Sequence, residues 1–498
     1  MTNTMDEKHH RGSNPDYPEV GSVHEKRNFG VFSVLGIGYS ICNTPLSTLI
    51  SLGIGIGSGG PVIYIWGMII MALVAFCIAI SLSELSSAYP SAGGQYVWVA
   101  KLAPRRIRRV ASYITGYLGW AGAVCTCASI TLGLAQMIIG MIILRNPEFV
   151  YSPWMGFVAY ECANIVIFSL NLIERFLPTI SRASLYYSVT TFVIIFISIL
   201  AASKSKQSAD FVFTGYVNLS GWENRGITLL TGVLGVNWGF SCLDACTHMA
   251  EEIPDPRRNI PKSLLGTVVV GISTALPLCI VILFCLTDIT ALMNTPTMTP
   301  SLQLFVQAFN GTAGAIALQS LMVVAVVGSI FGIHTWQSRI AWSFARDNGF
   351  PFSRYIGAIA PAPFETPIWA HAWCCMWVAL LGCLYLGSIV AFNSFVSGGL
   401  LFQYLTYSLC VLSLLAHGRK NVEHGPFWLP RIGLIANLVV LAWTVIATVF
   451  YSFPSFYPVQ PNTMNYVSCV LVGGVLLAWF NWAVHGRKYY MIGDSELE

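Results

Sequence analysis

The chain has 498 residues, 55% of them hydrophobic and only 10% charged, with a mean hydropathy of +0.66. Soluble chains carry about a quarter charged residues, so most of this surface faces lipid and a soluble enzyme or carrier is excluded. The net charge of +4 is spread between apolar runs without a long basic tract, which gives no footprint for nucleic acid.

Residues 1–28 are polar, with His9, His10, Pro15 and Pro18, and lack an apolar leader core; they read as a disordered cytosolic tail. A bilayer-crossing helix needs about 20 apolar residues. Twelve segments qualify, near 31–56, 61–83, 110–144, 152–172, 183–203, 227–248, 263–287, 313–336, 368–388, 393–415, 431–453 and 465–485. The third is overlong, so it tilts or begins outside the hydrocarbon. Residues 489–498 form a short second tail. The 14 cysteines fall mostly inside these runs, as Cys125, Cys127, Cys374 and Cys375 do, without the His/Cys spacing of a zinc site. They read as small core residues, and neither a metal nor a cofactor is expected.

The basic residues orient the spans. With the N-terminus cytosolic, only Arg145, Lys204, Lys206 and Arg225 of the 26 fall outside. A missed helix would scramble that alternation, so the bias supports both the twelve-span count and two cytosolic termini. The sequons at Asn218 and Asn310 then face outward, as glycan acceptors must.

Two spans contain what a plain anchor avoids. The first reads Gly36-Ile-Gly38-Tyr39-Ser40-Ile41-Cys42-Asn43-Thr44-Pro45 and the sixth Gly235-Val-Asn237-Trp238-Gly239-Phe240-Ser241-Cys-Leu-Asp244. Proline and glycine weaken a helix, and unpaired backbone at membrane depth survives only beside protein or a cavity. Breaks five helices apart predict an all-α, five-plus-five inverted-repeat transporter, with helices 1 and 6 broken at a central site. The repeats would span 29–203 and 227–415, with two further helices over 416–488. Ordinary glycine packing with a proline kink is the alternative.

Three stretches carry a family likeness. They are Ser83-Glu84-Leu-Ser-Ser-Ala-Tyr89-Pro90-Ser-Ala-Gly93-Gly94-Gln95-Tyr96 after span two, Asp244-Ala-Cys-Thr-His248-Met-Ala-Glu251-Glu252-Ile-Pro254 from span six, and Ser338-Arg339 with Phe344-Ala-Arg346-Asp347 after span eight. From about Asn28 to Lys488 the chain resembles the amino acid–polyamine–organocation superfamily, close to the fungal choline and GABA permeases. The resemblance implies substrate binding at the two breaks and alternating access, usually driven by protons. Some bacterial relatives place a lysine in helix five near the coupling-ion position; residues 183–203 here contain none.

The substrate-site candidates are therefore Tyr39, Ser40, Ile41, Cys42, Asn43, Thr44, Asn237, Trp238, Gly239, Phe240, Ser241 and Asp244. Ser241 and Asp244 also have the spacing of a helix start, with Ser241 as the cap. Asp244 is thus read either as part of that cap or as a counter-charge for an ammonium or proton. Aromatic faces such as Tyr39, Trp238, Phe240 and Trp336 hold cations. The coupling and gating candidates are Glu161, His248, His334, Glu251 and Glu252, the last two facing Arg105, Arg106, Arg346 and Arg354 across the cytosolic gate. Packing histidines, a structurally paired Glu161 and solvated surface charge are the alternatives. The expected function is secondary active, proton-coupled transport of an amine-bearing solute (choline, GABA, a polyamine or an amino acid), with the plasma membrane as the expected location and the direction left open. A specialised-metabolism product as cargo, or a solute sensor, is the competing reading. No Walker motif is present, and no intramembrane cluster has the spacing an enzyme needs.

Overall fold

The computed structural model describes residues 31–173, 176–461 and 464–492. The tail over 1–28, Arg175 and residues 493–498 lie outside the described residues. The first predicted span is divided into α1 (Val31–Cys42), α2 (Thr44–Ile50) and α3 (Leu52–Gly57). Ser58–Gly59 then pairs antiparallel with Val217–Asn218 in a two-stranded ribbon. A π-helical turn at Ile63–Gly67 leads into α4 (Met68–Ala88), followed by α5 (Gln95–Leu102) and α6 (Arg108–Arg145). Next come α7 (Pro153–Leu170), α8 (Leu177–Ala202), α9 (Ala209–Thr214) and α10 (Arg225–Asn237). Two 3-10 segments, Trp238–Phe240 and Leu243–Met249, separate α10 from α11 (Pro256–Cys285). The short α12 (Ile289–Met293) and α13 (Pro300–Phe309) precede α14 (Thr312–Arg346), α15 (Ser353–Ile356), α16 (Ile368–Gly387) and α17 (Ile389–His417). The chain closes with α18 (Ile432–Phe450), α19 (Val467–Asn481), a π-helical turn at Trp482–Gly486 and α20 (Arg487–Tyr489).

This is a multi-pass helical membrane protein. Among the described residues, eleven helices are long and apolar enough to cross a bilayer, and Val34–Ile50 is a shorter apolar stretch. The first predicted span is the one not among the eleven: its apolar stretch, Val34–Ile50, is shorter than the rest. The overlong third span is α6, 38 residues and therefore about 57 Å at 1.5 Å per residue, well beyond a hydrocarbon layer of about 30 Å.

Burial sorts the helices. α7, α8, α16 and α19 are mostly exposed, with Ile165, Ile197, Leu380 and Leu477 pointing outward. In water such a surface would aggregate; in lipid it needs no partner. α1, α6, α10, α11, α14 and α17 form the interior. Small residues let those helices approach closely: a Cβ at Gly122 of α6 would lie 3.1 Å from the Gly399 carbonyl of α17.

Candidate functional site

The interior is polar where the two interrupted helices meet. α1 stops at Cys42, Asn43 adopts the left-handed conformation at φ 37°, and α2 begins at Thr44. Pro45 does not make the interruption. It sits in the first turn of α2, where a missing N–H costs nothing, and asparagine is the residue that tolerates positive φ. On the other helix, α10 ends at Asn237, the chain runs through a 3-10 turn, Ser241 is extended, and Cys242 is left-handed at φ 60°.

The two interruptions touch. The Cys42 thiol donates to the Ser241 carbonyl at 2.9 Å, and the Ser51 hydroxyl donates to the Gly235 carbonyl at 2.6 Å. Gly239 lies against Thr44: a Cβ there would come 3.0 Å from Thr44 Cγ2 and 3.2 Å from its carbonyl oxygen. Tyr39 is fully buried, with its hydroxyl 3.5 Å from Thr274 Oγ1, and Ile41 packs against Gly332. Ser40 Oγ, Asn43 Oδ1 and Thr44 Oγ1 are buried without a hydrogen-bond partner, while Asn43 Nδ2 donates to Ser329.

Around helix six the polar groups are paired instead. Asn237 Oδ1 accepts from the Tyr404 hydroxyl, and its Nδ2 donates to the Tyr451 hydroxyl at 2.7 Å. Ser241 is not the cap that its spacing predicts: its hydroxyl turns back and donates to the Trp238 carbonyl at 2.8 Å. The left-handed Cys242 precedes the second segment, so the Cys242 N–H is met by Gln403 Oε1 at 3.0 Å, a side chain from α17. Asp244 lies in the first turn of that segment, and three side chains converge on its carboxylate. The Tyr407 hydroxyl donates at 2.6 Å, Gln95 Nε2 donates at 2.8 Å, and His248 Nε2 lies 3.3 Å away. His248 Nδ1 is 2.8 Å from the Ala92 carbonyl. Ala92 belongs to the turn after α4, where Gly94 takes a positive φ (53°), a conformation glycine adopts without steric cost. A Cβ on Gly94 would come 3.0 Å from the His248 ring.

The remaining candidates lie elsewhere. Glu252 pairs with Arg339 at 3.0 Å, largely buried, and Glu251 takes a bidentate fork from Arg346. Arg105, Arg106 and Arg354 are exposed, so the partners of these acids are Arg339 and Arg346. Arg339 belongs to the Ser338-Arg339 motif, and nothing local in the sequence matches it to its acid. Glu84 is fully buried in a second bidentate pair, with Arg419 at 2.8 Å. Glu161 lies away from the interruptions, on α7 against Gly382 of α16, and its Oε1 has no hydrogen-bond partner. His334 pairs with His371 of α16. Asn218 and Asn310 are both exposed. Gln95, Gln403, Tyr404 and Tyr407 are the neighbours missed by sequence reasoning. The last three share one face of α17 at helical spacing, a polar stripe inside an apolar span that was there to be read.

Residues 29–476 match the amino acid permease family. The chain belongs to that family. It is 42% identical over 480 residues to the choline transporter of Saccharomyces cerevisiae, covering 96% of this chain and 85% of the yeast protein. It is also 42% identical over 480 residues to the swainsonine transporter of Arthroderma benhamiae, covering 96% and 95%. The GABA-specific permease of S. cerevisiae is more distant, 29% identical over 495 residues, covering 95% and 84%. This permease is a transmembrane transporter and not an enzyme, and the three stretches between Ser83 and Asp347 lie within the matched residues.

Proposed function

We propose that this permease is a proton-driven, alternating-access transporter for a small solute bearing an ammonium group, with choline the first candidate. The observation that carries the reading is the trio of buried, unpartnered oxygens on Ser40, Asn43 and Thr44 at the helix-one interruption. An unpartnered buried acceptor costs about 1–3 kcal/mol, and a donor on the solute, the hydroxyl of choline or the N–H of a primary ammonium, relieves that cost. Tyr39, Trp238 and Phe240 add aromatic faces, which attract a quaternary ammonium that has no N–H to donate. In this reading the chain has twelve spans, both termini are cytosolic, the interrupted helices belong to repeats over 29–203 and 227–415, and the protein works at the plasma membrane.

Asp244 and His248 support the proton. Both ring nitrogens of His248 face acceptors, the Ala92 carbonyl and the Asp244 carboxylate. A neutral ring with an ionised Asp244 leaves a lone pair pointing at an oxygen. One proton held by the pair, on either partner, removes that conflict. The yeast choline transporter at 42% identity favours choline, while the equally similar swainsonine transporter keeps the cargo of a specialised pathway as a second reading. The test is uptake of labelled choline in cells lacking their own carrier, with competition by GABA, putrescine and amino acids. Choline uptake that rises with external acidity is the expected result. Uptake blocked by none of the amines would overturn the ammonium assignment.

A further inference from the structure

Away from the interruptions, three soft donor atoms converge between α14 and α16. His334 Nδ1 lies 2.9 Å from His371 Nε2 and 3.6 Å from Cys375 Sγ, and all three atoms fall within 4.8 Å of one another. His371 and Cys375 are one turn apart on α16, so one helix offers two ligands on the same face; α14 supplies the third. A tetrahedral or trigonal metal with bonds of about 2.0–2.1 Å to nitrogen and 2.3 Å to sulfur has ligand edges of about 3.3–3.8 Å. Two of the separations, 2.9 and 3.6 Å, are within a few tenths of an ångström of those edges, and the third is no more than 4.8 Å. Both histidines are buried, and Cys375 is partly exposed, which leaves an entry on its side. The ring of Phe168 packs on His371 at 4.6 Å, and Asn164 Nδ2 donates to the Cys375 carbonyl at 3.2 Å, so α7 walls the cluster and holds its turn.

We propose that His334, His371 and Cys375 form a binding site for a soft monovalent metal ion, Cu(I). The charge of the site selects the ion. Two neutral imidazoles and one thiolate make a site of charge −1, and a monovalent cation brings it to zero. A divalent ion leaves +1 in an apolar interior, where an uncompensated charge is costly. Thiolate and imidazole are also donors that suit Cu(I). On binding, the Cys375 S–H proton leaves to solvent and the S–Cu bond replaces it. The proton shared between the two rings moves to the far nitrogen of its own ring, freeing both facing lone pairs. No electron is transferred. The ion would join α14 to α16 five residues before Arg339.

The experiment uses the full-length protein, purified without metal and titrated with Cu(I) against a chromophoric Cu(I) chelator. Wild type should take one equivalent, and X-ray absorption should give a mixed shell of two nitrogens and one sulfur. Cys375→Ser and His371→Gln should each weaken that equivalent about 100-fold or more, with the thermal midpoint of the metal-free protein within a few degrees of wild type. Cys383→Ser, at an exposed thiol on the same helix, should leave binding unchanged. Retained affinity in both cluster variants, an all-sulfur shell, or preference for Zn(II) over Cu(I) would each overturn the proposal. If Cys375→Ser does not fold, the His371→Gln titration decides alone.

Discussion

The two helix interruptions solve the same problem in opposite ways. The first is a single residue wide, at Asn43, and leaves three buried oxygens without partners within five residues. The second is longer, with the chain in 3-10 segments from Trp238 to Met249, and the polar side chains around it are taken up by neighbours: Asn237 by two tyrosines, Ser241 by its own backbone, Asp244 by Gln95, Tyr407 and His248. A group already holding its partners has little to offer a ligand, whereas an orphaned acceptor does. In the reading proposed above, the helix-one interruption contacts the solute and the helix-six interruption holds a shape and a proton.

The sharpest way to break this comparison is to force the two apart. Gly239→Leu puts a branched side chain where even a Cβ meets Thr44 at 3.0 Å. Transport should fall by more than about 100-fold, since overpacking costs about 1–3 kcal/mol or more and displaces the helix-one interruption directly. Surface biotinylation checks that the variant still reaches the membrane. Normal uptake would mean that the contact between the helices is unimportant.

Next in size is Asp244→Asn. The side chain keeps its shape but loses the charge that faces His248, and it gains an NH2 group toward donors such as Gln95. Losing a charge-assisted hydrogen bond costs about 1.5–3 kcal/mol, so maximal uptake should drop about tenfold to 100-fold. The dependence on external pH should flatten. If the carboxylate instead contacts the solute, the affinity for a pure cation should fall more than that for a zwitterion, with the pH profile preserved. The two outcomes separate a proton role from a counter-charge role.

Thr44→Val reads the other side of the comparison. It removes a hydroxyl that has no partner in the protein and keeps the branched shape. Folding stability should hold or rise slightly, while KM for a solute bound through that oxygen rises about fivefold to tenfold, the size of one hydrogen bond. An unchanged KM would remove Thr44 from the site and weaken the contrast between the interruptions.

Much of this was legible in the chain. Apolar run length located the spans, because lipid demands backbone pairing within each helix. The Gly-Asn-Pro and Gly-Asn-Trp-Gly clusters lie where α1 gives way to α2 and where α10 gives way to the 3-10 segments. Their details were not legible. Ser241-x-x-Asp244 is a sound cap signal locally, yet a left-handed Cys242 moved the helix start and Gln403, 161 residues away, took over its N–H. Likewise no local rule matches Glu252 to Arg339, 87 residues on. Pairings of that kind depend on how helices dock, which periodicity does not encode.

The smallest expected effect concerns the charge pairs on the segments that follow the second interruption. Arg346–Glu251 is partly exposed and Arg339–Glu252 is largely buried. Exposed pairs contribute about 0–1 kcal/mol, whereas removing one partner of a buried pair strands a charge and costs about 3–5 kcal/mol. If these pairs latch a closed cytosolic gate, Arg346→Gln should change uptake by no more than about twofold to fivefold, and Arg339→Gln should do far more. Destabilisation alone could produce the second result, so the exchange variant Glu251→Arg with Arg346→Glu is the informative one. It restores the attraction with reversed polarity in the exposed pair, where no buried charge is stranded. Recovery of wild-type uptake in the exchange, after loss in each single change, would assign the pair to the gate. Wild-type uptake in all three would make it solvated surface charge with no part in a gate.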